Sequence, residues 1–317
     1  MRKTKAIIFF GIIMLLILIL IPIFIVIDNC ISFGSVEGTI SMISLSHTES
    51  NNTRQSFNGN TSLSVVFYEI EENKVAEIPA NSTISDSGFA YSKEFNLYYG
   101  VTNGKQGEAT DISLLGIQKS QENSSKVVEI NRLLISEDFP VFNPLIDNDG
   151  GVYYTRKPVE GDSLELIYRS NSLYIAKRVT TCFGTMFGVG EKGICFDIME
   201  TGVRSVVFMN HLGDSFTVLD NAYICGRSCD GNIVLIKNYL GELFQYDCST
   251  ELLIKLLDNQ SLLESLMTCT ISPDGRFIAG CFQSNNNNQC SVKIINLNTK
   301  RYKNIYESSL IGSISWK

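Results

Sequence analysis

One strand-and-turn grammar recurs through the second half of this chain, and a repeat of about 42 residues restricts the fold more than any single motif. Residues 140–180, 182–220, 221–258 and 266–307 each read as strand, tight turn, strand, loop, strand, turn, strand. Runs rich in Val, Ile, Phe and Tyr are punctuated by Gly, Asn, Asp and Ser, which is the signature of strands and turns. Glycines assigned to the first turn fall at Gly150, Gly193, Gly231 and Gly275, spaced by 43, 38 and 44 residues. Asp-Gly suits such a turn because aspartate can hydrogen-bond the backbone ahead of it and glycine tolerates φ > 0. Residues 82–131 form a looser copy. Residues 36–80 supply only three strands, and SLIGSISWK at 309–317 adds one more strand at the other end.

The stretch ISPDGRFIAG followed by VKIINLNTK resembles the repeat of TolB-type, WD-repeat-like β-propellers. Ile271-Ser272-Pro273-Asp274-Gly275 matches that repeat fully, whereas Cys229-Asp230-Gly231 and Asn148-Asp149-Gly150 match only at the turn. The resemblance implies an all-β, six-bladed propeller, with seven blades less favoured. A β-sandwich would also show turns every 8–12 residues, but it accounts less well for six units of one grammar. On this reading SLIGSISWK is the inner strand of the first blade and closes the ring without a covalent bond. A propeller specifies fold rather than activity.

The N-terminal 27 residues differ in kind. Arg2, Lys3 and Lys5 precede Ala6–Ile27, a run of 22 residues without a charge. At about 1.5 Å per residue a helix of that length crosses a hydrocarbon core of about 30 Å. It is expected to be an uncleaved signal-anchor over residues 1–27. The alternative is a cleaved signal peptide, whose apolar region is normally shorter. A linker over 28–35 and the propeller over 36–317 follow. The flanking charges place the N-terminus in the cytoplasm and the propeller outside a cell membrane that the chain crosses once.

Without the three N-terminal cations, 23 basic residues face 33 acidic ones, and no basic patch stands out. That argues against nucleic acid. Chemistry is sparse too. The candidate inner strands carry one charged residue, Arg227; the only histidines are His47 and His211. There is no Gly-x-Ser-x-Gly elbow and no Cys-x-x-Cys pair. Counting twelve from Asp147 reaches Pro158, so Asp147-Asn148-Asp149-Gly150 reads as a β-turn rather than a calcium loop. No catalytic, cofactor or metal residue is assigned. Cys281 and Cys290 flank the polar turn QSNNNNQ and are a candidate disulfide across a hairpin. Several other cysteines sit in apolar runs as small hydrophobes.

The expected function is non-catalytic: binding, scaffolding or sensing of a protein or glycan partner at the cell envelope. Variable loops near 46–62, 102–110, 157–163 and 283–289 leave one rim and form the candidate partner surface. The alternative is a glycan-active hydrolase or lyase, which requires acidic, Arg or His side chains from several blades to converge on one pocket.

Overall fold

The computed structural model describes residues 37–47, 61–80, 83–92, 96–104, 108–119, 125–158, 161, 163–171, 176–284 and 289–317. The expected membrane span and its linker lie outside these residues, as do large parts of the variable loops. Among the described residues no helix is long and apolar enough to cross a membrane. Gly38–Lys317 forms one compact unit.

That unit is built from antiparallel sheets taken in chain order. The first contains β1 (Thr39–His47), β2 (Thr61–Glu69) and β3 (Lys74–Pro79). The second contains β4 (Ile84–Ser92), β5 (Leu97–Thr102), β6 (Asp111–Lys119) and β7 (Ser125–Ser136). The third runs β8 (Val141–Ile146), β9 (Val152–Arg156), β10 (Leu164–Arg169), β11 (Ala176–Cys182). The fourth runs β12 (Phe187–Val189), β13 (Gly193–Glu200), β14 (Val203–Asn210), β15 (Ser215–Asp220). An eight-stranded sheet follows. Its first half is β16 (Ala222–Arg227), β17 (Ile233–Asn238), β18 (Leu243–Asp247) and β19 (Leu252–Leu257). Its second is β20 (Leu266–Ile271), β21 (Phe277–Gln283), β22 (Cys290–Asn296) and β23 (Tyr302–Ser308). A single parallel pair, Gly226 with Cys269, joins the halves. A four-residue helix, α1 (Gln260–Leu263), connects them and is capped by the Asn259 side chain, which accepts from Leu262 N–H.

The repeated turn has a defined chemistry. Ser272 Oγ donates to Asp274 at 2.6 Å and accepts from Phe277 N–H at 3.0 Å, while Asp274 accepts from Arg276 N–H at 3.0 Å. Ser228, Asp230, Asn232 and Ile233 repeat those bonds one unit earlier. Gly275 and Gly231 close both turns at φ 71° and 77°. The glycine spacing is off in one unit. Gly193 is not a turn residue but the first residue of β13, and a side chain there would meet Met209 O at 2.2 Å. It is glycine for close approach rather than for positive φ.

Burial falls from the inside of each sheet outward. β21 is buried at six of its seven positions, whereas β15 and β19 are mostly exposed. The core therefore lies between consecutive sheets. Phe67 and Val65 pack with Phe89 and Leu115, and Tyr99 and Val101 with Tyr154 and Val152. Leu166 packs with Phe187, Phe208 with Tyr246, and Cys225 with Ile278.

The last strand, β24 (Leu310–Trp316), joins the first sheet. The order is β24-β1-β2-β3, with Ile40 opposite Trp316, Met42 opposite Ile314 and Leu45 opposite Leu310. The last half-sheet also packs on the first. Phe277 lies 6.5 Å from the fully buried Trp316 ring, and Ser308 Oγ meets Ser44 Oγ at 2.6 Å. Lys303 Nζ donates to Asn73 at 2.7 Å.

Gly226 marks the tightest approach of two first strands. A Cβ at this position would stand 2.0 Å from the carbonyl oxygen of Cys269. Gly226→Ala should cost about 1–3 kcal/mol, as overpacking against backbone does. Urea unfolding of the variant measures the loss, and an unchanged midpoint would contradict it.

Candidate functional site

The first strands converge. Ala90 of β4, Asn143 of β8, Met186 before β12, Arg227 of β16, Cys269 of β20 and Ser315 of β24 line one cavity of about 30 Å³. Arg227 is the one charged side chain there. Its Nη2 donates to the carbonyls of Asn143 and Pro144 at 3.1 and 2.5 Å, and Nη1 to that of Phe187 at 3.3 Å. The guanidinium also stands 5.0 Å from the centre of the Phe187 ring.

Above this cavity, at the end of the strands where the Asp-Gly turns lie, opens a cleft of about 420 Å³. Asp147 and Asp149 enter it from the third sheet, Glu191 and His211 from the fourth, and Asp230 from the next half-sheet. Tyr91 and Tyr153 supply aromatic walls, and no lysine or arginine is among its lining residues. The carboxylates divide into two kinds. Asp147 accepts the N–H groups of Asp149 and Gly151 at 3.0 and 2.7 Å, and Asp230 holds its own turn. These two are engaged in shaping the backbone. Asp149 and Glu191 are exposed; their backbones are bonded at the turns, but neither carboxylate is. His211 Nε2 stands 3.0 Å from Glu191 O.

The acids look like turn residues in the sequence, and those of one sheet lie about forty positions from those of the next. The inner-strand pattern correctly isolated Arg227 but could not show that the turns gather their acids in one cleft. His211 is a turn residue beside that cleft. His47 ends β1.

A further acid lies outside both features. Asp197 of β13 has a fully buried side chain and accepts from Arg204 Nη2 at 2.5 Å and Nε at 3.0 Å. Its other oxygen accepts the N–H of Ile224, on the neighbouring half-sheet, at 3.0 Å. Burial pushes the Asp197 carboxyl up to about 6, against the opposing pull of Arg204 and the Ile224 N–H. A lone acid in the apolar run Cys-Phe-Asp-Ile was the available sequence signal, since such a residue needs a buried partner.

Four buried cysteines are packed rather than reactive. Burial pushes the Cys182 thiol up to about 12 and also raises Cys195, Cys269 and Cys281, which leaves little thiolate. Cys281 and Cys290 lie on paired strands, but their partners in register are Val292 and Gln283. They are therefore diagonal neighbours, with the Cys290 thiol beside that of Cys281. Cys225 and Cys269, on adjacent first strands, are closer than the sequence suggested, with sulfurs 3.6 Å apart. Among the described residues no group of three His, Cys, Asp or Glu side chains is placed to hold a metal ion.

No family model matches the chain, and no curated protein matches it by sequence. Solved structures do. A chain of the Nidogen/Laminin Complex superposes with a TM-score of 0.53 at 9% identity, covering 88% of this chain and 98% of that one. The fold is a β-propeller. Other structures similar to this propeller include TolB from Acinetobacter baumannii, with 13% identity, a TM-score of 0.44 and coverage of 83% of this chain and 68% of that one. Another is the periplasmic gluconolactonase of Pseudomonas aeruginosa, with 11% identity, a TM-score of 0.46 and coverage of 88% and 85%. At such identities the likeness concerns the fold and carries no residue across.

Proposed function

We propose that this protein is a six-bladed, membrane-tethered, extracytoplasmic propeller that binds a protein partner without chemistry. Its acidic cleft receives basic side chains of that partner. The count of six is supported by six four-stranded units, counting each half of the eight-stranded sheet as one, and by the residues of five first strands and of the segment just before β12 around one cavity. The observation that carries the binding role is the cleft's composition: four carboxylates drawn from three consecutive blades, two tyrosines, and no lysine or arginine among its lining residues. A concave acidic wall concentrates cations, and a tyrosine face attracts an ammonium group, as that of Tyr91 does the Lys317 Nζ 4.8 Å from its ring centre; the Tyr153 ring is the second such wall. Its volume lies within the range of binding clefts. The Nidogen/Laminin Complex is an assembly of proteins, which is in keeping with such a role for this fold. The tether rests on the charge-free run Ala6–Ile27 behind three cations.

The variable loops that join second to third strands leave the opposite strand ends, and much of them lies outside the described residues. They form the second surface on which a partner, protein or glycan, is to be sought.

The test compares fluorescein-labelled lysine-rich and glutamate-rich peptides of equal length by anisotropy against the full chain. Binding of the lysine-rich peptide alone is expected. It should weaken about tenfold, equivalent to about 1.4 kcal/mol, in Asp149→Asn/Glu191→Gln, and weaken further with added salt. Indifference to both peptides would remove the reading. The convergence of acids from several blades also meets what the glycan hydrolase or lyase alternative requires. Release of reducing ends from polysaccharide that disappears in the same double variant would establish that alternative instead.

A further inference from the structure

The axial cavity is a separate matter from the cleft above it. It holds one formal positive charge and no carboxylate among its lining residues. Arg227 has five N–H groups. Three are taken by the carbonyls of Asn143, Pro144 and Phe187; the remaining Nη1 hydrogen and Nε–H have no acceptor among the described residues. No ion pair involving Arg227 occurs among the described residues either. Asp230, only three residues on, lines the cleft and is bonded to Ser228 Oγ and Asn232 N–H. Arg227 is half-buried, and a guanidinium with reduced access to water and no counter-charge is costly. Burial accordingly lowers the pKa of Arg227, and no carboxylate raises it.

A buried orphan lines the same cavity. The hydroxyl of Ser315 is buried and has no hydrogen-bond partner. Unsatisfied buried hydroxyls are rare and call for an explanation. A cation with two uncommitted N–H groups and a residue with a free buried O–H thus line a single small space. A volume of about 30 Å³ accommodates roughly two water-sized bodies. It is too small for a sugar, a nucleotide or a peptide side chain.

We propose that the axial cavity binds a small monovalent inorganic anion of halide size between the Arg227 guanidinium and the Ser315 hydroxyl. The anion supplies the missing counter-charge and accepts from the unpartnered donors. It touches first strands from several blades and so acts as a structural ligand of the axis. It binds only the folded state, so it should raise stability by mass action. The proposal does not depend on the partner-binding role of the cleft, and either can fail alone.

The full chain is unfolded thermally in sodium chloride and in sodium gluconate at equal ionic strength, gluconate being too large to enter. A midpoint that rises with chloride to a plateau, and does not rise with gluconate, is expected. Equal midpoints in the two salts would overturn the proposal, as would a chloride effect that persists undiminished in Arg227→Gln. Should that variant not fold, crystals of the unaltered chain grown in bromide decide the matter. An anomalous peak beside Arg227 and Ser315 supports the site, and water-only density there refutes it.

Discussion

A chain ending at Ser308 should show no cooperative unfolding transition. Removing residues 309–317 takes away β24, which supplies the inner strand of the first sheet and contributes Ile311, Ile314 and Trp316 to the core. Truncation of one buried tryptophan alone typically costs about 3–5 kcal/mol. Losing the whole strand also unpairs β1 and opens Ile40, Met42 and Ile43, all fully buried, to water. The contact between the last blade and the first, through Phe277 and Trp316, goes with it. Whole domains are stable by only about 5–15 kcal/mol, so the deletion removes a margin of comparable size. Circular dichroism melts of the full and shortened chains test this. A shortened chain melting within a few degrees of the full one would show that β24 does not close the ring energetically. Trp316→Ala should stay folded and lose about 3–5 kcal/mol.

Asp197→Asn should change how stability depends on pH. Unfolded, the aspartate titrates near 3.9, whereas folded it titrates at about 6. Between those values the folded state keeps a proton that the unfolded state has released. Stability therefore falls as pH rises through that window and is level above it. At about 1.36 kcal/mol per unit the loss amounts to about 3 kcal/mol. The asparagine has no such titration, so relative to the natural chain the variant should gain about 3 kcal/mol between pH 4 and pH 7. Glu165, Asp247 and Asp274, whose carboxyls are held below their usual values, slope the other way but cancel in the difference. Urea unfolding of both proteins at several pH values gives that difference, and a flat one would show that Arg204 offsets the burial completely. The Asp197–Arg204 pair thus ties the fourth sheet to the eight-stranded one through Ile224.

Much of the fold was legible because its rules are local. The Ser-x-Asp-Gly turn forms hydrogen bonds within five residues, so Ser272-Pro273-Asp274-Gly275 announces its hairpin without help from the rest of the chain. The same local grammar, short of one strand at the start and long by one at the end, foretold the pairing of β24 with β1. Gly193 misled the spacing because a glycine needed for close approach and one needed for positive φ look alike in a sequence.

The repeat, the turns, the strands and the extra strand that closes them were thus readable along the chain, because all of them depend on near neighbours. What lies between repeats came from packing. It gathered Asp149, Glu191 and Asp230 into one cleft, set Asp197 between Arg204 and Ile224, brought Cys225 to 3.6 Å from Cys269, and left Arg227 on the axis without a carboxylate. These residues are far apart in the chain, and only the curvature of consecutive sheets about a common axis brings them together.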